Sequence, residues 1–406
     1  MRILAVGNMY PPHHTGGYEL VWQAAMRHAG SLGHEVRVLT SDHREAGVRQ
    51  SDEGDVRRTL RWYWDPARYE FPRLGPLARL RIERHNAAEL ERHLASFRPD
   101  VVAWWSMGCM SLALIERVRR AGIRAVFVVH DDWLIYGPHR DQWIRMWRGR
   151  RRALAPAAER LFGIPTSVEL DRAGRFAFNS RYTLGRARGA GIDAPTMTVV
   201  HPGVDERFLE AAPPRPWRWQ LAYVGRIDRQ KGIDTAVRAI ALLPEPARLS
   251  VWGTGDQGYL AELRSLAAGL GVAGRIRFPG RASLRDLPSI YADSDAVVFP
   301  VRWQEPFGLV PLEAMGVGRP VLTTARGGTA EFIRHGENAL VFDPDDEAGL
   351  ARAIRRLADD ESLRARLRLA GMQTAARHTL ARFAERIVEE IAGPVSERRL
   401  AAGAAR

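Results

Sequence analysis

Apolar strand segments alternate with amphipathic helices twice along the 406 residues, and this alternation constrains the fold more than any other feature. The first series contains RILAVGN (2–8), ELVWQAAMRHAGSLG (19–33), HEVRVLTSD (34–42), PDVVAWW (99–105), SLALIERVRRAG (111–122) and RAVFVVH (124–130). Gly33 is suited to end the first helix. Apolar strands joined by helices predict a parallel sheet with helices on both faces.

The pattern restarts after AAPPRPWRWQ (211–220), which has three prolines and little periodicity. The second series contains LAYVGRI (221–227), DTAVRAIALL (234–243), ARLSVWG (247–253), RIRFPG (275–280), DAVVFP (295–300) and PVLTT (320–324). We predict an α/β chain of two Rossmann-like, doubly wound parallel-sheet domains, at 1–208 and 221–385, joined by a linker at 209–220. A C-terminal helix and tail, 386–406, is expected to pack back on the first domain. Doubly wound sheets bind ligands beyond the carboxyl ends of their strands, so the chemistry is expected in a cleft between the domains.

Composition indicates the cellular compartment of the protein and the partners that its charge would suit. The single cysteine, Cys109, fits a reducing compartment, the N-terminus does not read as a secretory signal, and no window approaches ~18 apolar residues. We therefore predict a cytoplasmic protein. Of the net charge of +13, residues 1–200 carry +10, with 31 arginines against 21 acidic residues. A basic half suits an anionic membrane, a nucleic acid or an anionic substrate, and an arginine-rich solvated surface is the alternative.

The only lysine of the chain, Lys231, lies in YVGRIDRQKGID (223–234), and every other basic residue is an arginine. An ammonium is a compact point charge, whereas a guanidinium is a wide planar fork. A crowded phosphate pocket would favour the lysine, and chance survival is the alternative.

The segment EPFGLVPLE (305–313) has two glutamates eight residues apart, just after the strand DAVVFP. Eight residues are slightly more than two helical turns, so both carboxylates would face one side if both were helical. Pro306 predicts a helix start, which would leave the amides of Gly308, Leu309 and Val310 free to bind an anion. A phosphate site flanked by sugar-binding carboxylates is predicted, and an ordinary helix with solvent-facing glutamates is the alternative.

WGTGDQG (252–258) matches the G-x-G-x-x-G pattern of a dinucleotide-binding turn. The next strand, RIRFPG, lacks the acidic residue that such a site needs. We interpret the segment as a tight turn beside a bound nucleotide, with a plain strand–helix turn as the alternative.

Together these motifs resemble those of retaining glycosyltransferases of family 4, which have the GT-B architecture of two facing Rossmann-like domains. The resemblance rests on E-x7-E at Glu305 and Glu313 and on G-R-x4-K at Arg226 and Lys231, in order with FNSRY (178–182), PGVD (202–205), WGTGDQG and the Gly16-Gly17 loop. It covers most of the chain, although segments 42–95 and 131–165 carry little of it.

The resemblance implies a role for each matching position. Arg226 and Lys231 would bind the donor diphosphate and stabilise the charge on the leaving group. Glu313 would bind the ribose hydroxyls, and Glu305 the hydroxyls of the transferred sugar. His130, at the end of RAVFVVH, would lie beside that sugar, with a structural strand-end histidine as the alternative. The remaining donor-binding positions implied are Gly16, Gly17, Gly255, Gly280, Arg281, Phe307, Gly308, Leu309 and Val310.

The resemblance also implies hexosyl transfer by front-face displacement, in which the acceptor hydroxyl attacks from the side that the diphosphate leaves. The leaving phosphate would take the proton, and Glu305 would not be a nucleophile. No cofactor or metal is expected, because Arg226 and Lys231 would supply the positive charge. The acidic pair in HDDW (130–133) offers the alternative of a divalent-ion site, as in the other glycosyltransferase architecture. No Cys/His cluster has zinc spacing.

We therefore predict a retaining glycosyltransferase that moves a sugar from a nucleoside diphosphate, with a UDP-sugar favoured, to an acceptor hydroxyl. The expected acceptors are an envelope glycolipid, a polysaccharide or a small-molecule natural product. The alternatives are a GT-B nucleotide-sugar isomerase or epimerase, a pyridoxal-dependent phosphorylase and a non-catalytic nucleotide-sugar binding module. The phosphorylase needs a Schiff-base lysine, and the one lysine already has a role at the diphosphate.

The sequence indicates less about the residues that would bind the acceptor. In HRDQWIRMWRGRRR (139–152), Trp143, Met146 and Trp147 share one helical face beside several arginines. This predicts either an interfacial element at the inner face of an anionic membrane or a helix packed on its own domain. Nucleic acid is not expected, since nothing else reads as a nucleic-acid module. The aromatic, proline-rich segment 61–76 is expected to shape the acceptor cleft, and the arginine-rich stretch 345–392 to be helical, ending at Gly393-Pro394.

Overall fold

The computed structural model describes residues 1–14, 16–45, 47–49, 54–65 and 72–393. The chain divides into two compact units, which are described in turn. Unit 1 comprises Met1–His201 together with Ala381–Arg406, and unit 2 comprises Pro202–Leu380.

Unit 1 is built on a parallel sheet. Within the described ranges it has seven strands: β1 (Arg2–Gly7), β2 (Glu35–Ser41), β3 (Asp55–Leu60), β4 (Val101–Trp104), β5 (Ala125–Val129), β6 (Arg175–Phe178) and β7 (Met197–Val199). Their order in the sheet is β3-β2-β1-β4-β5-β6-β7. The core strands β4 and β5 are buried along their whole length, as expected where helices cover both faces.

The helices that precede unit 2 in the chain connect these strands. They are α1 (Tyr18–Ser31), α2 (Pro76–Phe97), α3 (Ala113–Arg120), α4 (Trp133–Arg140), α5 (Gln142–Met146), α6 (Ala155–Phe162) and α7 (Arg181–Gly189), with a 3₁₀ turn at Gly149–Leu154. The side chain of Ser180 caps α7 by accepting a hydrogen bond from the amide of Thr183.

Unit 2 has a second parallel sheet, with the order β10-β9-β8-β11-β12-β13. Its strands are β8 (Gln220–Val224), β9 (Arg248–Trp252), β10 (Ile276–Gly280), β11 (Ala296–Phe299), β12 (Val321–Thr323) and β13 (Leu340–Val341). Its helices are α8 (Ile233–Ala241), α9 (Gln257–Gly269), α10 (Leu287–Asp293), α11 (Leu309–Gly316), α12 (Glu347–Asp359) and α13 (Glu361–Arg377). The prediction of two doubly wound α/β sheets is confirmed. In each sheet the strand order reverses once, between β1 and β4 and between β8 and β11, and such switch points are where doubly wound folds bind ligands.

The unit boundaries differ from the predicted 208/209 and 385/386. Residues 202–208 belong to unit 2 because Val204 pairs with the end of α13: its amide donates to the carbonyl of His378, and its own carbonyl accepts from Leu380, at 2.9 and 2.8 Å. The buried ring of Phe208 packs edge-on against Tyr291. The predicted linker 209–220 therefore begins inside unit 2 and ends at its first strand.

The last helix, α14 (Leu380–Ala392), supplies residues to unit 1 from Ala381 onward. Its buried face includes Phe383 and Ile387. The guanidinium of Arg124 donates to the carbonyl of Ala392 at 3.0 Å, and Arg175 lies 3.7 Å from Glu390. The return of the chain to unit 1 therefore occurs at 381 rather than 386. The predicted helical stretch 345–392 forms α12, α13 and α14.

Segment 42–95, which carried little of the family resemblance, contains the strand β3 and most of the long helix α2. The predicted acceptor-shaping segment 61–76 is only partly covered, because 66–71 lie outside the described residues, as do Pro394 and the tail that follows it. Within the described ranges, no helix combines the length and apolarity needed to cross a membrane.

The predicted helix at 139–152 is instead a break after α4, the short helix α5 and a 3₁₀ turn. Asp141 causes the break, because its side chain accepts hydrogen bonds from the amides of Trp143 and Ile144 and so starts a new helix. Trp143 is buried and its indole donates to the carbonyl of Pro165 at 2.8 Å. Met146 and Trp147 pack against the same core. The aromatic face therefore packs on its own domain.

Candidate functional site

The lone lysine and the first glutamate of E-x7-E meet at the switch point of unit 2. Lys231 ends the 3₁₀ turn Arg229–Lys231 that follows β8, and Glu305 lies in the loop after β11. Because β8 and β11 are hydrogen-bonded neighbours, their carboxyl-end loops lie side by side. Lys231 Nζ is 2.7 Å from Glu305 Oε2, and the two side chains are 12% and 13% exposed.

Two aromatic rings lie beside the ammonium of this ion pair. The ammonium of Lys231 lies 5.5 Å from the ring centre of Phe299 and 5.2 Å from that of Trp303. The indole Nε1 of Trp303 donates to the same Glu305 oxygen, Oε2, at 2.6 Å. The flat walls leave room for a narrow alkyl stem and a compact charge, which gives a structural reason for lysine at this position.

Gly308 controls the geometry between the two glutamates. Its φ of +92° is left-handed, and a Cβ there would lie 2.8 Å from the hydroxyl of Thr329. The helix α11 therefore begins at Leu309, not at Pro306 as predicted. Glu305 is outside the helix, in a β-bridge with Gly327, so the two glutamates do not share a helical face.

The start of α11 has no side-chain cap, and its anion binding stays a prediction. No side chain caps this helix, so the first-turn amides at Leu309 and Val310 are available to an incoming acceptor group. Phe307 is buried and packs against Phe332 at 5.2 Å, and its carbonyl accepts from Thr329 at 3.0 Å. Phe307 therefore anchors the loop through its side chain.

Glu313 lies on α11 and is held by Tyr291 of α10, whose hydroxyl donates to Oε2 at 2.6 Å. Burial raises the pKa of Glu313 to about 7, and the hydrogen bond from Tyr291 opposes that rise. Sequence reasoning missed both Trp303 and Tyr291. Trp303 could have been noticed two residues ahead of Glu305, whereas Tyr291 reads as an ordinary apolar position of a helix.

Arg226 follows β8 and forms an ion pair with Asp228 at 2.6 Å. The hydroxyl of the buried Tyr223 donates to the carbonyl of Arg226 at 2.8 Å, which fixes the loop. The 44% exposure of the Arg226 side chain leaves its charge accessible. Gly280, at the end of β10, has a φ of +90° with open space around it, and Arg281 beside it is exposed.

The WGTGDQG turn packs its backbone against the loop after β8. A Cβ on Gly255 would lie 2.2 Å from the carbonyl of Ile227, and the amide of Ile227 donates to Thr254 at 2.9 Å. The amides that a dinucleotide phosphate would need at the start of α9 are occupied, because Asp256 accepts from Gly258 and Tyr259. Close packing of two loops thus accounts for the glycines.

Unit 1 contains the other three predicted positions. Gly16 donates its amide to Glu19 at 3.2 Å, and Gly17 precedes α1 with a φ of −77°, which any residue adopts. The ring of His130, just after β5, lies among Tyr18, Trp105 and Phe383, with centroid distances of 4.8, 6.2 and 5.6 Å. Burial lowers the pKa of His130 to about 3, so the imidazole is neutral at neutral pH.

The acidic pair after His130 is engaged with protein donors. Asp131 accepts from the hydroxyl of Tyr136 at 2.9 Å, and burial raises its pKa to about 6. Asp132 lies 3.2 Å from Arg186. In the part of the chain that the structure describes, no group of three or more His, Cys, Asp or Glu side chains is arranged to hold a metal ion.

Models of known protein families match both units of the chain. The family model of "Glycosyltransferase Family 4" matches residues 15–208, and that of "Glycosyl transferases group 1" matches residues 206–374. A lipopolysaccharide core biosynthesis glycosyltransferase of Rhizobium meliloti is 39% identical over 151 residues, 37% of this chain and 43% of the relative. A GDP-mannose-dependent phosphatidylinositol monomannoside mannosyltransferase of Mycobacterium tuberculosis is 27% identical over 392 residues, 92% of this chain and 93% of the relative. The matches above 30% identity, such as the one to the Rhizobium meliloti protein, extend over less than half of the relative's length.

Among solved structures, an Anabaena protein, HepE, in complex with UDP and glucose, is similar with a TM-score of 0.69 and 19% identity. The match covers 97% of this chain and 100% of that one. Likeness at this identity concerns the fold, and it agrees with the two parallel sheets described above. The two family models together account for both units. The chain therefore belongs to the group 1 glycosyltransferases of the family 4 type and has the GT-B fold.

Proposed function

We propose that the protein transfers a hexosyl group, with retention of configuration, from a nucleoside diphosphate sugar to an acceptor hydroxyl. The observation that carries the proposal is the contact of Lys231 with Glu305 at the switch point of unit 2, beside the uncapped start of α11. A cation, free amides and a carboxylate suit a diphosphate followed by a hydroxylated sugar.

The chemistry follows from these groups. The bond from the anomeric carbon to the diphosphate breaks while the acceptor oxygen bonds to the same face, and the leaving phosphate takes the acceptor proton. Arg226 and Lys231 stabilise the charge that develops on the leaving oxygen, and Glu305 orients the sugar through its hydroxyls. These cations supply the charge that a metal would otherwise bring, so we propose metal-independent transfer. His130 is neutral and serves as a hydrogen-bonding group rather than an acid.

A UDP-sugar is our favoured donor, and the named relatives keep other donors open, since one of them uses GDP-mannose. The first test is calorimetric titration of UDP, GDP, ADP and TDP, with and without magnesium. Binding of one diphosphate without metal supports the proposal, and binding that requires magnesium contradicts it. Incubation of the matching sugar nucleotides with acceptors then reports transfer, and the proton coupling constant at the new glycosidic carbon reports retention.

The same assay separates the alternatives. An isomerase or epimerase would convert the donor without an acceptor, and a binding module would release no nucleotide at all. A pyridoxal-dependent phosphorylase would need a free lysine, and Lys231 is engaged with Glu305. The relatives named above act in lipopolysaccharide core biosynthesis and on a phosphatidylinositol monomannoside, which supports a glycolipid acceptor here, with polysaccharides and natural products as the other classes to assay.

A glycolipid acceptor would be met at a bilayer, and unit 1 has a surface suited to its anionic face. Leu154, the last residue of the 3₁₀ turn that leads into α6, is 61% exposed, and Leu161, on the last turn of α6, is 75% exposed. The neighbouring exposed arginines are Arg145, Arg148, Arg150, Arg151, Arg152 and Arg160. We propose that this stripe, rather than the buried Trp143 face, makes peripheral contact with anionic lipid.

Sedimentation with vesicles of phosphatidylglycerol and phosphatidylcholine tests the contact. Replacing Leu154 and Leu161 by serine should leave the protein in the supernatant at low salt, whereas the wild type sediments. Leu369→Ser is the matched control, because Leu369 is 60% exposed on α13 of unit 2. A wild type that stays in the supernatant at low salt would refute membrane contact.

A further inference from the structure

Each glutamate of E-x7-E has one oxygen occupied by a neutral donor. Glu305 Oε2 accepts from the indole of Trp303 at 2.6 Å, and Glu313 Oε2 accepts from the hydroxyl of Tyr291 at 2.6 Å. The second oxygen, Oε1, of either carboxylate accepts no hydrogen bond from the residues that the structure describes. The two carboxylates are therefore presented in the same manner, with one oxygen held and one available.

Glu305 Oε2 accepts hydrogen bonds from a charged donor, Lys231, and from a neutral donor, Trp303. Lys231 and Trp303 both donate to Oε2, but only the lysine can turn away, since its ammonium is at the end of a flexible stem. If Lys231 moves to a phosphate oxygen, Trp303 is left on Oε2, because its indole N–H can only donate and already lies 2.6 Å from that oxygen. The carboxylate keeps its orientation while its charge partner changes.

At Glu313 the donor is fixed by burial. Tyr291 is fully buried, so its hydroxyl has no water to exchange with and remains on Oε2. Glu313 is on the first turns of α11, and its Oε1 is left for a ligand hydroxyl.

We propose that Trp303 and Tyr291 are positioning residues of the donor site. Trp303 presents Oε1 of Glu305 to hydroxyls of the transferred sugar, and Tyr291 presents Oε1 of Glu313 to the ribose. This inference rests on the proposed function, since it assumes a sugar nucleotide at this site, and it adds residues outside the recognised motifs.

The test distinguishes recognition of the nucleotide ribose from recognition of the transferred sugar. Affinities of UDP, GDP and ADP, each against its 2′-deoxy form, are measured for wild type and Tyr291→Phe. For the diphosphate that the wild type binds, the ribose form should bind about 10-fold or more tightly than the 2′-deoxy form. Tyr291→Phe should reduce that preference by about 3- to 10-fold, as expected for one lost hydrogen bond. Trp303→Phe should leave it unchanged.

The sugar arm uses epimeric donors, UDP-glucose against UDP-galactose and GDP-mannose against GDP-glucose. Trp303→Phe should reduce the discrimination within the preferred pair by about 3- to 10-fold, with the affinity for the diphosphate alone within about twofold of wild type. Tyr291→Phe should not change the epimer ratio.

Matched controls separate positioning from folding. Tyr259→Phe removes a comparable tyrosine–carboxylate bond, to Asp234 at 2.6 Å, and Trp217→Phe removes an indole that packs against Arg364. Both should keep wild-type ratios. A purely structural role would lower the melting temperature of Tyr291→Phe or Trp303→Phe and leave both ratios unchanged, which would overturn the inference. A wild type that does not discriminate within any pair would also overturn it. If none of the diphosphates binds the wild type, the proposed function itself fails.

Discussion

Removing the lone lysine should have two separable effects, one on stability and one on binding. In Lys231→Ala the carboxylate of Glu305 loses its charge partner and keeps only the indole of Trp303. Breaking a fully buried ion pair costs about 3–5 kcal/mol, and an exposed pair contributes about 0–1 kcal/mol. With side chains 12% and 13% exposed, and with a second donor in place, we expect unit 2 to lose about 2 kcal/mol of unfolding free energy.

A loss of this size corresponds to a fall of about 4–8 °C in the melting temperature of a unit of this length. Differential scanning calorimetry measures it. Diphosphate affinity, measured by isothermal titration, should fall by about 1.5–3 kcal/mol, because a charged hydrogen bond to phosphate is lost. That loss is about 10- to 150-fold in Kd.

The double variant Lys231→Ala with Glu305→Gln distinguishes the two effects. A neutral amide removes the unpaired charge and can still accept from Trp303, so about 1 kcal/mol of stability should return. Diphosphate affinity should stay low, because no cation has been restored. If affinity recovers together with stability, the lysine acts only by holding the loop, and our assignment of Lys231 to the diphosphate is refuted. An unchanged affinity in the single variant refutes it as well.

Three further predictions follow from the same structure. Lys231→Arg keeps the charge but puts a wide guanidinium between the rings of Phe299 and Trp303, so titration should show diphosphate affinity reduced by about 10-fold or more; equal affinity would contradict the crowded pocket. Glu83 is buried on α2, where its carboxyl group accepts hydrogen bonds from the hydroxyls of Tyr63 and Ser111. Burial, and then the charge of Asp141, raise the pKa of Glu83 from 4.5 to about 8. Native unit 1 therefore retains a proton that the unfolded chain releases, and the stability present below about pH 4.5 is lost as the pH rises through about 8. Glu83→Gln should flatten the fall in melting temperature between these pH values, and an unchanged slope would disprove this. Phe383→Ala opens one side of His130 to water, so its pKa should rise from about 3 toward 6.5; NMR titration measures it, with His130→Asn to assign the resonance, and a pKa that stays near 3 would contradict the role of the ring.

The parallel sheets could be predicted because buried strands and amphipathic helices have distinct periodicities. The alternation at RILAVGN and LAYVGRI corresponds to β1 and β8, each of which lies at the reversal of strand order in its sheet. By contrast, β3 has the sequence DVRRTL, in which arginines interrupt the apolar pattern, and its strand character comes from pairing with β2. Tertiary pairing of this kind has no local signal.

Within the site, the residue types could be predicted and their geometry could not. The spacing of Glu305 and Glu313 suggested one helical face, but the left-handed turn at Gly308 separates them. The backbone φ of a single glycine cannot be predicted from the sequence, because glycine adopts positive and negative values about equally readily. The partners Tyr291 and Trp303 depend on which helix and loop approach the glutamates. Whether the Trp143 face contacts a membrane or its own domain could not be predicted for a similar reason. Periodicity shows which residues share an apolar face but not what packs against that face.

Unit 1 takes its first strand from residues 2–7 and the helix α14 from residues beyond 380, so the sequence of unit 2 lies between two segments of unit 1. A ribosome adds about 5–20 residues per second, so the whole of unit 2 emerges, over roughly 10 to 40 seconds, before that helix exists. Until then the strand ends of unit 1 lack Phe383, and the wall beside His130 stays open to water. Unit 1, most of which is synthesised first, is therefore completed after unit 2. A nascent chain that stalls near residue 380 has a complete unit 2 and a unit 1 that still lacks α14.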